Sequence, residues 1–503
     1  MSAEQSPSGT GRQDAGAPAA PAGAPVAAST LGAAPVAAST AGPAPPAPDV
    51  TAVPPGVSAA PAAPPGVSAA PAIPAGQPEL GAHSTNFQFP AGFLWGASTS
   101  AHQVEGHNTL NDWWDWEQAG KVPEKSGAAS DHYRRFREDF DLAQAIEHNA
   151  HRFSLEWSRI EPEEGAWSDD SIQHYRDVLR ALRERRIEPV VTLYHYTMPR
   201  WMAARGGWES PLMERRYARY VRKVMEELGD LATWWITLNE PVVQVFKGWV
   251  IGQWPPGKTE WPAALKVLRH MLRAHVRAYH LIHDMHPHAK VSIAKHVLAL
   301  SADDPRRWSD RLSVRARSYL FNHLFVDALY SGALRVPGLF WERLPMGRTL
   351  DFIGLNYYTR DFVRNSGYNL QGLVGDRASG DHRQQVGKLN DLGWEVYPEG
   401  LARLLHEFDR FKLPLLITEN GVPARDDDDR WVFLFMHLWQ VARAISDGVN
   451  VVGYLHWSLL DNYEWADGYR ARFGLIEVDF ATQLRRIRPS AWKYAHIIRR
   501  NEL

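Results

Sequence analysis

Eight short apolar segments alternate with helical segments after residue 86, and this alternation constrains the fold more than any other feature. The predicted strands are Phe93–Ser98, Ala150–Leu155, Glu188–Tyr194, Trp234–Leu238, Lys290–Lys295, Asp351–Asn356, Leu413–Thr418 and Val451–His456. The predicted helices include Glu138–Glu147, Ser171–Arg185, Met213–Leu228, Ala263–His283 and Trp431–Asp447. Such repeats predict a (β/α)8 TIM barrel with extended βα loops, whose active site lies at the C-terminal ends of the strands. The strand after Ala289 fits the pattern least well.

The composition of the chain changes abruptly near Phe87. Upstream, the residues are almost all Ala, Pro, Gly, Ser, Thr and Val, and two short repeats occur, Ala24–Thr30 at Ala34–Thr40 and Pro54–Ala62 at Pro64–Ala72. A segment with so little bulky apolar surface cannot offset the entropy of ordering it. We therefore expect residues 1–85 to be a disordered Pro/Ala-rich tail and residues 86–503 to form the (β/α)8 barrel domain. A true translation start further downstream is the alternative.

Charge and cysteine content exclude several classes of function. The net charge of −2 gives no electrostatic basis for binding nucleic acid or an anionic membrane. The absence of cysteine excludes disulfides, thiolate nucleophiles and thiolate-bound metals. No apolar run is long enough to span a membrane and no secretory signal is visible, so a cytoplasmic location is expected. The acidic run Asp426–Asp429 lacks the ligand spacing of a calcium loop and is predicted to be a solvated turn.

Two glutamates follow apolar strands at points where the strand pattern gives way to a turn. Glu240 lies in Thr237-Leu238-Asn239-Glu240-Pro241, and Glu419 lies in Leu416-Ile417-Thr418-Glu419-Asn420-Gly421. In the predicted barrel they end the fourth and seventh strands. A pair of carboxyl groups held together by the fold is what a retaining glycosidase requires, one as proton donor and one as nucleophile.

Several longer motifs indicate a family. They are Phe89-Pro90-Ala91-Gly92-Phe93-Leu94-Trp95-Gly96, Arg152-Phe153-Ser154-Leu155-Glu156-Trp157-Ser158-Arg159, Asp351-Phe352-Ile353-Gly354-Leu355-Asn356-Tyr357-Tyr358, Gly393-Trp394-Glu395-Val396-Tyr397-Pro398 and Trp457-Ser458-Leu459-Leu460-Asp461-Asn462-Tyr463-Glu464-Trp465. With the two glutamates, they make Phe87–Asn501 resemble glycoside hydrolase family 1, the β-glucosidase family. The resemblance implies a retaining exo-β-glycosidase that acts on small oligosaccharides or aryl glycosides and needs no cofactor and no metal.

The resemblance also implies roles for individual residues. Glu240 would be the general acid/base, with a pKa raised by the neighbouring carboxylate, and Glu419 the ionised nucleophile. Arg152 would lower the pKa of Glu419, Tyr358 would hydrogen-bond it, and Asn239 would reach the sugar 2-hydroxyl.

A sugar pocket is implied by the same resemblance, because a pyranose needs polar groups at its edge and an aromatic floor. The expected residues are Gln103, His195, Asn239, Glu464, Trp465, the platform Trp457 and the wall residue Phe473. Trp249, Trp254 and Trp261 are candidates for stacking the aglycone, and at least one of them is expected to be a packing residue. Related phospho-glycosidases replace the equivalent of Glu464, so unphosphorylated sugars are predicted.

Some positions depart from the common family pattern. The common string after the third strand is His-Trp-Asp-Leu-Pro, whereas this chain has His195-Tyr196-Thr197-Met198-Pro199. Glu156 and Tyr454-Leu455-His456-Trp457 favour the archaeal-type branch, which includes broad β-glycosidases. The sequence thus predicts a β-glucosidase active on cellobiose and aryl or alkyl glucosides. Two alternatives stay open: a broad β-galactosidase/β-fucosidase with transglycosylation, and, more distantly, a non-catalytic sugar-binding protein.

Overall fold

A closed parallel barrel forms the centre of the computed structural model, which describes residues 86–503 apart from 337, 339, 346, 368–371, 373 and 383–386. The predicted N-terminal tail lies outside the described residues. The barrel strands are β1 (Leu94–Ser98), β2 (Ala150–Ser154), β3 (Glu188–Thr192), β4 (Trp234–Asn239), β5 (Lys290–Ala302), β6 (Ile353–Arg364), β7 (Leu415–Asn420) and β8 (Val451–Trp457). Each strand pairs in parallel with its sequence neighbours, and β8 pairs with β1 to close the ring.

The strands close into a barrel because almost every strand residue is buried and the apolar residues cover both faces of the sheet. One small cluster contains inward-facing residues of neighbouring strands: Ala150, Val190, Trp234, Ile236, Ala294, Phe352, Leu416 and Leu455. A much larger cluster joins the outer face of the strands to the surrounding helices. The predicted TIM barrel is therefore confirmed, with strand boundaries close to those expected except at β5 and β6.

The long helices surround the barrel, and the shorter ones lie within the loops that connect the strands to them. The long helices are His132–Ala145, Asp169–Glu184, Met213–Leu228, Trp261–Met285, Trp308–Ser318, Leu324–Ser331, Pro398–Asp409, Asp427–Ser446 and Pro489–Arg500. Shorter α-helices are Ala101–Val104, Asp112–Gln118, Trp157–Ile160, Arg200–Ala203 and Pro241–Val245, and π-helical turns span Phe246–Val250 and Tyr319–His323. The acidic run predicted to be a solvated turn instead begins a helix: Asp426 caps Asp427–Ser446 by accepting a hydrogen bond from the backbone of Asp428.

Strand β5 is longer than the predicted Lys290–Lys295. It continues to Ala302 because its outer half pairs with an equally extended β6, from Ala299 opposite Arg360 to Ala302 opposite Val363. Small antiparallel pairs, Ala333–Val336 with Phe340–Arg343 and Ile476–Val478 with Arg485–Ile487, complete the sheet structure, and Asp376–Arg377 adds to the edge of β6. Within the described residues, no helix is long and apolar enough to cross a membrane.

Candidate active site

The two predicted glutamates lie at the same mouth of the barrel. Glu419 is the residue before the last one of β7 and is 4% exposed, whereas Glu240 directly follows β4 and is 6% exposed. Glu240 adopts a left-handed backbone conformation, with φ of +43°, before the helix that starts at Pro241. Such a conformation is unfavourable for a side chain with a Cβ and is typical of functional sites, where the surrounding structure imposes it.

Glu419 is held by a fixed cation and a phenol. The Arg152 guanidinium, fully buried in the middle of β2, donates from Nη1 to Glu419 Oε1. The Tyr358 hydroxyl donates to Glu419 Oε2 at 2.6 Å. Arg152 itself is fixed by Nε donation to Thr192 Oγ1 at 3.0 Å. The planar guanidinium therefore presents its charge to Glu419 in one defined orientation.

Glu240 is surrounded by donors of a different kind. Asn356 Nδ2 donates to Glu240 Oε1 at 2.7 Å, and His296 Nδ1 lies 3.1 Å from the same oxygen. The Tyr196 hydroxyl donates to the other oxygen, Oε2. No arginine or lysine forms an ion pair with Glu240 among the residues that the structure describes. Its carboxylate thus depends on neutral donors and one titratable ring.

Two asparagines connect the carboxyl groups into one network. Arg152 Nη2 donates to Asn239 Oδ1 at 2.7 Å, and Asn356 Nδ2 lies 3.2 Å from the same oxygen. Asn239 Nδ2 lies 3.1 Å from His195 Nε2. One continuous hydrogen-bond network therefore joins Glu419, through Arg152, Asn239 and Asn356, to Glu240.

The pKa values of Glu240 and Glu419 are shifted in directions that the sequence did not predict. Burial alone would raise the pKa of Glu240, but His296, Tyr196 and Asn356 outweigh it and lower the pKa to about 2. Burial raises the pKa of Glu419; Arg152 lowers it, as predicted, but burial together with the charge of Glu240 prevails. The predicted raised pKa of Glu240 is therefore wrong for the resting site, whereas the predicted effect of Arg152 on Glu419 is present but is outweighed.

Polar residues expected in the sugar pocket meet at one edge of the barrel mouth. Gln103, in the short helix after β1, donates from Nε2 to Glu464 Oε2 and Asn462 Oδ1, both at 3.1 Å. Ser100 Oγ donates to Gln103 Oε1 at 2.6 Å and so fixes the amide orientation. Burial, helped by Asp467 and Glu419, raises the pKa of Glu464 to about 8. A protonated Glu464 repels a phosphate less than the sequence argument assumes.

The aromatic residues of the predicted pocket form two groups. Trp465 packs with Trp113, Tyr196 and Trp254, whereas Trp457 packs with Tyr358 and Phe473. His195 stacks between the groups, 6.1 Å from the ring centres of both Trp457 and Trp465. The structure thus brings His195, Trp457, Trp465 and Phe473 together beside the hydrogen-bond network that joins Glu240 and Glu419.

The three candidate aglycone tryptophans have different environments. Trp254 belongs to the Trp465 group, with its ring centre 4.8 Å from that of Tyr196. Trp249 is 2% exposed, joins the main core and donates its indole N–H to Glu209 at 2.8 Å. Trp261 is 45% exposed at the start of a long helix. Trp249 is therefore a packing residue, as expected for at least one of the three, and its stacking role is not supported.

Three residues near the carboxylates were missed by the sequence reasoning: Tyr196, His296 and Asn356. Asn356 ends a predicted strand, so the strand-end argument used for Glu240 could have found it. His296 falls just beyond the predicted end of β5, whose true length was not foreseen. Thr197 and Glu156, two positions that depart from the common family pattern, contact each other: Thr197 Oγ1 donates to Glu156 Oε2 at 2.8 Å.

Known proteins share the sequence pattern and the fold of this chain. The sequence profile of glycosyl hydrolase family 1 matches residues 85–337 and 342–503. A 1,4-beta-D-glucan glucohydrolase of Thermotoga neapolitana is 33% identical over 453 residues, covering 83% of this chain and 99% of the relative. A Beta-galactosidase of Sulfolobus acidocaldarius is also 33% identical, covering 82% and 95%. The solved beta-glycosidase from Pyrococcus horikoshii is 39% identical, with a TM-score of 0.77, covering 83% and 96%. The chain belongs to glycosyl hydrolase family 1.

Proposed function

We propose that the protein is a retaining exo-β-glycosidase whose main substrates are unphosphorylated β-glucosides such as cellobiose and aryl glucosides. The observation that carries this proposal is the pair of buried glutamates: Glu419 is bonded to a guanidinium and a phenol, and Glu240 is bonded to Tyr196, Asn356 and the titratable ring of His296. Double displacement requires one carboxyl group that acts as nucleophile and a second that donates and then accepts a proton. Glu419 and Glu240 can provide such a pair.

In the first step, the Glu419 carboxylate attacks the anomeric carbon and the bond to the leaving oxygen breaks. Glu240 transfers its proton to that oxygen, and a glycosyl ester forms on Glu419. In the second step, water attacks the anomeric carbon, Glu240 accepts its proton, and the ester bond breaks to restore the Glu419 carboxylate. Arg152 and Tyr358 stabilise this carboxylate as it departs.

The resting protonation of the pair has to change when a substrate binds. In the resting site the contacts favour a proton on Glu419 over one on Glu240. A glycosidic oxygen beside Glu240 accepts a hydrogen bond only from the protonated acid, so substrate binding favours a proton on Glu240. Once Glu240 is protonated, its charge no longer raises the pKa of Glu419, and this favours the productive arrangement in which Glu419 is ionised.

Sugar recognition is assigned to the edge formed by Gln103 and Glu464 and to the aromatic floor. A carboxyl and an amide offer donors and acceptors in pairs, which suits adjacent hydroxyls. His195 Nδ1 is buried and has no hydrogen-bond partner within the described residues, and a sugar hydroxyl would satisfy it. The rings of Trp457 and Trp465 each lie 6.1 Å from that of His195, and we assign them the C–H contacts with the sugar.

The proposal is tested by initial rates on 4-nitrophenyl β-glycosides, with cellobiose and a 6-phosphoglucoside included, and by NMR of the first sugar product. We expect the glucoside and cellobiose to be the best substrates and the β-anomer to appear first. An α-anomer as first product would contradict the retaining mechanism. Faster cleavage of the 6-phosphoglucoside would contradict the assignment of Glu464.

A broad β-glycosidase is the second candidate function, favoured by the 33% identity to a protein named Beta-galactosidase. Higher kcat/KM on the galactoside or fucoside than on the glucoside would establish it and leave both glutamates in their roles. A folded protein that binds glucosides and cleaves none of them would instead support the non-catalytic alternative.

A further inference from the structure

Tyr196 occupies a position where the common family pattern has tryptophan, and it puts a hydroxyl on Glu240. The hydroxyl donates to Glu240 Oε2, whereas Asn356 and His296 contact the other oxygen. Both oxygens of this carboxyl group are therefore occupied by groups of the protein. A phenol that donates stabilises the charged form of its acceptor.

The backbone and the packing around Tyr196 hold the phenol in this position. Tyr196 has φ of +72°, a left-handed conformation that is rare for an aromatic residue. Its ring packs edge-on against Trp254 and Trp465, with ring centres 4.8 Å and 5.3 Å away. Gln244 donates to its backbone carbonyl at 3.1 Å. The backbone and the ring contacts of this loop therefore direct the hydroxyl at Glu240.

Other charged or titratable groups also act on Glu240. They come from the loop after β3, from the π-helical turn after β4, and from β5, β6 and β7: His195, Lys247, Lys295, His296, Tyr358 and Glu419. Of these, Glu419 is the carboxylate that opposes ionisation of Glu240. Once Glu419 carries the sugar as an ester, this opposition disappears and Glu240 becomes the one ionisable acid of the pair.

We propose that Tyr196 is a positioning residue for the second half of the reaction, in which its hydroxyl holds Glu240 as the oriented base that accepts the proton of the attacking water. This inference rests on the proposed double displacement. The same hydrogen bond disfavours the protonated form of Glu240 that the first step needs. Glu240 therefore becomes a better-oriented base and a weaker proton donor.

The test isolates the second step. An activated 2-deoxy-2-fluoro-β-glucoside traps the ester, the excess is removed, and the return of activity is followed as a function of pH. Because Glu419 is esterified, the acidic limb of this profile reports the ionisation of Glu240. Tyr196→Phe removes one oxygen atom and keeps the ring contacts. Tyr279→Phe is the matched control, since Tyr279 donates to Asp351 at 2.6 Å at the opposite end of the barrel.

We expect Tyr196→Phe to move the acidic limb upward by about one pH unit, because loss of a donor raises the pKa of a carboxyl group. Tyr279→Phe should leave the limb where it is in the wild type. A Tyr196→Phe limb that does not move, even if reactivation is slower at every pH, would overturn the positioning role. If the wild-type protein forms no ester, the proposed function fails as well, and the two failures are thereby distinguished.

Discussion

The two carboxyl groups occupy similar depths in the barrel mouth but have opposite surroundings. Glu419 faces a permanent cation, the Arg152 guanidinium, whereas Glu240 faces Tyr196, Asn356 and His296. The pKa shifts nevertheless run against a simple reading of these partners, upward for Glu419 and downward to about 2 for Glu240. At Glu419, burial and the charge of Glu240 outweigh the ion pair with Arg152, whereas at Glu240 several hydrogen-bond donors outweigh burial. The proposed chemical roles therefore depend on the substrate as well as on the resting contacts.

The largest effect is expected from Glu419→Gly, because it removes the atom that forms the ester. We expect kcat to fall about 10,000-fold or more. Added azide would enter the vacated space, attack the anomeric carbon directly and give the α-glycosyl azide. Rates and product NMR check this. If the variant kept a tenth of wild-type activity, Glu419 would not be the required nucleophile, and the assignment of different roles to the two carboxyl groups would be contradicted.

The next largest effect is expected from Glu240→Ala, and it should depend on the leaving group. For cellobiose, loss of the acid should lower kcat/KM by roughly 100- to 10,000-fold. For 2,4-dinitrophenyl glucoside, which needs no acid assistance, kcat/KM should change little. Azide should now attack the ester and give the β-glycosyl azide, the opposite anomer to that from Glu419→Gly. Equal losses on both substrates would contradict the assignment of Glu240.

A smaller effect is expected from Tyr358→Phe, which leaves the Arg152 ion pair in place. Loss of the 2.6 Å donor should cost about 10-fold in kcat/KM. Because the hydroxyl stabilises the Glu419 carboxylate, its removal raises the pKa of Glu419 further. Glu419 must be ionised to attack, so the acidic limb of kcat/KM should move to higher pH. A downward shift of that limb would show that the hydroxyl favours the protonated form.

No effect is expected from deletion of residues 1–84, because none of the predicted site residues belongs to this segment. Their composition offers little apolar surface to bury against the barrel. The melting temperature and kcat/KM of the shortened protein should equal those of the full chain. A clear loss of either quantity would assign a role to the segment.

The sequence predicted the barrel and the two glutamates because both depend on local pattern. Apolar strands such as Leu413–Thr418, and the turn-forming residues after Glu240 and Glu419, can be recognised from neighbouring residues in the sequence alone. The contacts of Tyr196 and His296 with Glu240 were not predictable in this way. They depend on a left-handed backbone at Tyr196 and on the outer extension of β5, and both are properties of tertiary packing.

The most direct test of the account is to identify the residue that carries the sugar. Incubation with 2,4-dinitrophenyl 2-deoxy-2-fluoro-β-glucoside, followed by peptide mass spectrometry, should find one added fluoroglucosyl group per chain, on Glu419. Inactivation should be prevented by excess glucoside. A label on Glu240, or an active enzyme that is never labelled, would contradict the assignment of Glu419 as nucleophile and Glu240 as acid/base.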